Sequence, residues 1–172
     1  MSLTHNIYNT RKYFMEPLRK LTDVNLLAPY IEESLKNNCD VRITVTGYSM
    51  YPLLRNRKDS VILGKPPKKL KKYDIVFYKR EDGSYILHRI LKIKDNLLSM
   101  AGDNEIELEY PIKPEQIIGV TTHYIKSGKK YSTKNLIYKL YVIIWAWLFP
   151  HRHKLMPKLI MLNQKIKRMI KR

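Results

Sequence analysis

The chain has 172 residues, 44% of them hydrophobic, and a formal net charge of +18. That length and apolar content suit one domain with a real core plus appendages, and they exclude global disorder. A basic excess of this size points to a polyanionic partner, and the single cysteine, Cys39, excludes an intrachain disulfide. The charge is unevenly placed: no acidic residue follows Glu115, and Lys126 to Arg172 contains thirteen Lys or Arg. Cys39 is expected to be a small packing residue, because no metal-ligand spacing surrounds it. The residues call for neither a metal nor a cofactor.

In chain order, Met1 to Lys20 is polar and reads as neither a secretory signal peptide nor a membrane span. The spacing from Thr22 to Asn38 predicts an amphipathic helix. Thr22 or Asp23 would cap it, Leu26, Leu27, Tyr30, Ile31 and Leu35 would form its face, and Asn37-Asn38 would close it. Strands are expected at Val41–Thr46, Ser60–Leu63, Asp74–Tyr78, Tyr85–Ile93, Leu97–Met100 and Gln116–Ile125. Asp82-Gly83 is the strongest hairpin signal, and Asp95-Asn96 is a second. The prolines in the Lys65 to Lys72 run remove backbone donors, so that stretch reads as a solvated loop.

Leu136 to Phe149 is apolar and aromatic, but its 14 residues are interrupted by Lys139, which suits an interfacial or packed helix better than a span. After Pro150, Leu155, Leu159, Leu162, Ile166 and Met169 form one stripe among lysines and arginines, with Trp145 and Trp147 upstream. Such a segment is expected to lie in an anionic membrane surface, through residues 134–172, and nucleic acid is not the expected partner. The fold class expected is mainly β, α+β overall. Residues 1–40 form an N-terminal segment with one amphipathic helix, 41–128 an antiparallel β domain, and 129–172 a basic amphipathic helical tail.

The stretch that organises this reading is Gly47-Tyr48-Ser49-Met50-Tyr51-Pro52. A strand ends at a glycine able to turn sharply, and one small hydroxyl is left between bulky side chains. A serine is a poor nucleophile without a base within hydrogen-bond reach. His88 is the candidate base: Ile86, His88 and Ile90 share one strand face, that face is apolar, and desolvation favours the neutral imidazole that can accept a proton. Asp103, in Ala101-Gly102-Asp103-Asn104, is the candidate carboxylate to orient the imidazole.

Taken in order, these residues resemble the superfamily of serine peptidases that contains signal peptidase I and LexA. Gly47 to Pro52 is similar to its nucleophile box, and Asp59-Ser60-Val61 and Tyr73-Asp74-Ile75-Val76 are similar to its two "GD-x-V" strand starts. Leu87-His88-Arg89-Ile90, Gly102-Asp103-Asn104 and Ile118-Gly119-Val120 resemble the later boxes. The resemblance covers roughly Val41 to Ser127. It implies a small coiled antiparallel β domain of the signal peptidase/LexA type. Where the usual bacterial branch carries a lysine this chain has His88, so the likeness is to the branch that pairs serine with histidine and aspartate.

Carried over, Ser49 is the nucleophile, His88 the general base and Asp103 its orienter, with Glu107 or Glu109 as possible substitutes for the acidic member. The Ser49 backbone N–H would be an oxyanion donor, and Gly47 offers no hydroxyl to add a second. The reaction implied is acyl transfer, with Ser49 Oγ attacking a scissile carbonyl. The substrate implied is an extended signal or leader peptide of a precursor protein, with small residues before the cut. Two glycines of the pattern are replaced, by Lys58 and Tyr73, and no N-terminal anchor precedes Ser49 in this sequence. Short stand-alone members with one helix ahead of the nucleophile box are the most similar.

Two rivals carry different expectations. A LexA-like self-cleaving regulator would want a helix-turn-helix ahead of the β domain and a lysine base. A non-catalytic basic module for membrane or nucleic acid would keep its binding in a Ser49→Ala variant.

Overall fold

A computed structural model of the chain describes residues 24–152 together with residues 154, 161 and 169. The elements are α1 (Val24–Lys36), β1 (Val41–Thr44), β2 (Ser60–Gly64), β3 (Ile75–Lys79), β4 (Tyr85–Lys94), β5 (Leu97–Ala101), β6 (Glu109–Ile112), β7 (Ile117–Lys126), β8 (Lys129–Ser132) and α2 (Leu136–Trp147). Among the described residues the architecture is mainly β with the two α-helices α1 and α2, the class read from the sequence.

All strand pairs are antiparallel and form one open sheet in the order β1-β2-β7-β3-β4-β5-β6, with β8 alongside the end of β7. Register shifts interrupt four of the strands, at Ile62/Leu63, Phe77/Tyr78, Ile90/Lys92 and Leu98/Met100. Each such irregularity bends its strand and increases the local twist, so the sheet coils. β3 is apolar on both faces and divides two cores. Ile75 and Phe77 join Val61, Leu63 and Leu54 on one side, while Val76 and Tyr78 join Ile90, Leu98, Met100 and Ile117 on the other.

The hairpins follow local chemistry. Asp95-Asn96 and Ser127-Gly128 are two-residue loops with positive φ at both positions, the conformation that matches the twist of the flanking strands. At Asp82-Gly83 the Arg80 N–H donates to Ser84 O and the loop is one residue longer.

Several expectations need correcting. The buried side of α1 is Ala28, Ile31 and Leu35, whereas Leu26 and Tyr30 are exposed. The helix rests on the first core one step round from the face expected, with Val24 and Leu27 packed at its margin. Its end is as expected: Asn38 adopts φ 59°, and Cys39 N–H reaches back to Ser34 O at 2.9 Å. Cys39 is exposed rather than packed. β6 and β8 were not expected, and the sheet does not stop at residue 128. Ser127-Gly128 is a hairpin, and β8 continues the sheet beyond the division placed there.

α2 is capped by Asn135, whose side chain accepts the Ile137 N–H at 2.8 Å. Tyr138, Val142 and Trp145 are its buried face. Trp145, read as a bilayer residue, therefore points into the protein, while Trp147 is 73% exposed. Among the described residues no helix is long and apolar enough to cross a membrane. The candidate caps Thr22 and Asp23, and Leu155, Leu159, Leu162 and Ile166 of the basic stripe, lie outside the described residues; Met169 is exposed.

Candidate active site

β1 delivers the chain to the serine. Gly47 holds φ 84° and donates its N–H to Asn56 Oδ1 at 3.0 Å, which turns the backbone where a side chain would be strained. Met50, Leu53 and Leu54 are then drawn into the first core, which leaves Ser49 half-buried at the rim. The base of the loop is fixed by Asp59, fully buried, whose carboxylate accepts the Arg55 N–H, Nε and Nη2.

Ser49 and His88 line the same cleft, of about 240 Å³, with Ile43, Thr44, Phe77 and Glu105 among its other walls. His88 lies at the centre of β4 opposite Val76, 3% exposed. Ser49 and His88 are thus brought to one place from positions 39 residues apart in the chain. No hydrogen bond joins Ser49 Oγ to the imidazole among the described residues. His88 Nε2 instead faces Glu105 Oε1 at 3.3 Å. On the other side of the ring, Nδ1 lies 3.4 Å from the Tyr78 hydroxyl, which donates to Glu109 Oε2 at 2.6 Å. Because that hydroxyl proton is committed to Glu109, the Tyr78 oxygen is oriented to accept from Nδ1–H. Both ring nitrogens therefore face acceptors, which fix the plane of the ring.

Asp103 does not orient His88. It lies in a buried pair with Arg89, whose Nε and Nη2 reach Asp103 Oδ1 and Oδ2 at 2.8 and 2.7 Å. The reason is strand parity: adjacent residues point to opposite faces, so a chain that gives Asp103 to Arg89 turns it away from His88. Of the two substitutes, Glu109 reaches the imidazole only through Tyr78 and also holds Arg80. Glu107 is exposed on the adjoining groove. The carboxylate beside the ring is Glu105, which the sequence reading missed. No signal in the sequence marks it, because buried Arg89 claims Asp103 only in the folded chain and so leaves the next acidic residue for His88.

Electrostatics knit the loop together. Burial pushes the Glu105 carboxyl up, but the His88 hydrogen bond and the Gly102 N–H outweigh this and hold it below the ordinary range. Glu109 is likewise held low against burial, by Arg80 and Tyr78. Carboxyls depressed in the folded state mean that the unfolded chain binds more protons. Stability from them is therefore complete above the unfolded value of about 4 and is lost as pH falls through the folded values. Urea unfolding midpoints should accordingly decline below about pH 4, and Glu105→Gln with Glu109→Gln should flatten that decline.

The loop also backs the serine directly. Asn104 N–H donates to Ser49 O at 2.6 Å, and a Cβ on Gly102 would meet Ser49 O at 2.5 Å and Ser49 Cβ at 2.9 Å. Gly102→Ala should therefore displace Ser49 and lower the rate of any serine-dependent reaction by about tenfold, measured as kcat on a peptide substrate.

No family model, curated protein or solved structure matches the chain.

Proposed function

We propose that the chain is a serine endopeptidase of signal-peptidase-like type, with Ser49 as nucleophile and His88 as general base. The observation that carries this reading is the shared cleft of Ser49 and His88, with the imidazole between two acceptors. For reaction, Glu105 takes the Nε2 proton and swings aside, and the neutral ring, its remaining proton held on Nδ1 toward Tyr78, accepts the Ser49 Oγ proton at Nε2 as the oxygen attacks the scissile carbonyl. The Ser49 backbone N–H serves as an oxyanion donor, and the protonated ring passes the proton to the departing amine. Glu105, with a 41% exposed side chain, has room to swing aside, and the Tyr78–Glu109 pair holds the ring from behind. These carboxylates take the part that the resemblance assigned to Asp103.

The substrate class is an extended signal or leader peptide. β1 is the terminal strand of the sheet, paired on one side with β2, and Ile43 to Thr46 form a wall of the cleft leading to Ser49. A peptide added along that edge would carry its carbonyls past the hydroxyl. Tyr73 adds support for the family. It stands where the resembled pattern has glycine, and it adopts φ 79°, a conformation that costs other residues energy. Association with an anionic membrane surface through residues 134–172 completes the proposal, supported by the apolar outer side of α2 and by a sequence without acidic residues after Glu115.

The test is incubation of the full chain with a pool of extended peptides, followed by mass spectrometry of the products. Cleavage after small residues that disappears in Ser49→Ala is the expected result. Cleavage that persists in that variant would remove the serine from the mechanism.

A further inference from the structure

α2 is largely apolar yet only half covered. Its inner residues, Tyr138, Val142 and Trp145, recur at steps of four and three and face the protein. Its outer residues Leu136, Ile137, Leu140, Ile143, Ile144 and Trp147 are all at least half exposed, Leu136 and Ile137 to 80%. A contiguous apolar face of that kind calls for a cover. The chain around it is cationic, with thirteen Lys or Arg from Lys126 onward and no acidic residue after Glu115. That complementarity selects an anionic bilayer surface as the occupant.

The inner side of the same helix grips the loop behind the site. Trp145 Nε1 donates to Asp103 O at 2.9 Å. Arg152, 1% exposed and sandwiched by the Trp145 and Phe149 rings, sends Nη1 to Gly102 O at 3.1 Å and Glu105 O at 3.3 Å, and Nη2 to Trp145 O at 3.0 Å. Tyr138 takes a bond from Arg89 Nη1. Three carbonyls of the segment 102–105 are thereby held from the helix. That segment in turn touches Ser49 through Asn104 N–H and His88 through Glu105.

We propose that α2 and the turn after it form a brace that the membrane sets: seating the outer face on an anionic bilayer fixes segment 102–105 and so raises activity at Ser49 and His88. Trp145 and Arg152 are its positioning residues. The inference rests on the peptidase reading for its rate effect, but not for its structural effect.

The experiment uses the full chain with vesicles of equimolar phosphatidylcholine and phosphatidylglycerol. It reads kcat on a soluble fluorogenic peptide, and separately the carbon and proton resonances of the His88 ring in bicelles of the same lipids. Vesicles should raise kcat about fivefold or more, within the usual range of coupling between sites, and should move the His88 signals. Ile137→Ser with Leu140→Ser and Trp147→Ser should remove both lipid effects. Trp145→Phe, which keeps a ring and loses the N–H donor, should lower kcat in lipid with KM unchanged and shift the His88 signals. Vesicles that bind without moving kcat or the His88 signals overturn the proposal. So does a failure to bind vesicles, including the case in which the outer face is covered by a second copy and the triple variant converts a dimer to a monomer. If no peptide is cleaved while lipid still moves the His88 signals, the brace stands and the peptidase reading falls.

Discussion

His88→Ala is expected to lower peptide hydrolysis by about 10³-fold, within the range that a positioned general base contributes. The loss should fall on kcat, since the ring supplies proton transfer while β1 and the cleft walls hold the peptide. Tyr78→Phe separates the two sides of the imidazole. It removes the oxygen that faces Nδ1 and unties Glu109, yet leaves Nε2 and Glu105 in place. A drop in kcat smaller than that of His88→Ala is expected. Steady-state kinetics of the two variants reads both effects, and equal rates in wild type and His88→Ala would exclude the ring as base.

The second large effect is on stability. Arg89→Ala should cost about 3–5 kcal/mol in urea unfolding, because it leaves the Asp103 carboxylate buried without its cation. Both side chains are 1% exposed. Arg89 also bonds Tyr73 O and the Tyr138 hydroxyl, each at 3.0 Å, so one guanidinium ties β4 to the start of β3 and to α2. Asp103 and Tyr138 hold its pKa above the ordinary value against the opposing effect of burial. Arg89→Met combined with Asp103→Leu should recover most of the loss, since removing both charges leaves no unpaired ion. A double variant as unstable as Arg89→Ala would mean that the remaining bonds, and not the charge pair, carry the cost.

Strands rich in β-branched and apolar residues were legible because their alternation has a single reading, and so was the Asn37-Asn38 helix stop. β6 was not, since Glu109-Tyr110-Pro111-Ile112 buries one residue and contains a proline that only an edge strand tolerates. β8, Lys-Lys-Tyr-Ser, has no apolar pattern at all and exists because the Ser127-Gly128 turn lays it against β7. At the site, Ser49 and His88 could be nominated from their local settings, but the carboxylates could not be apportioned. Asp103, Glu105, Glu107 and Glu109 differ by two in position. Which of them meets His88 depends on where buried Arg89 finds its partner, a fact of the tertiary structure. The α1 face was misjudged for a related reason. Ala28 is small enough to approach the sheet closely, and a scan for large apolar residues passes over it.

The most direct measurement is covalent labelling by a serine-directed acylating probe, located by tandem mass spectrometry. The account predicts one adduct on the Ser49 hydroxyl, formed far more slowly in His88→Ala and not at all in Ser49→Ala. An adduct of equal yield in all three proteins, or one on another residue, would contradict it.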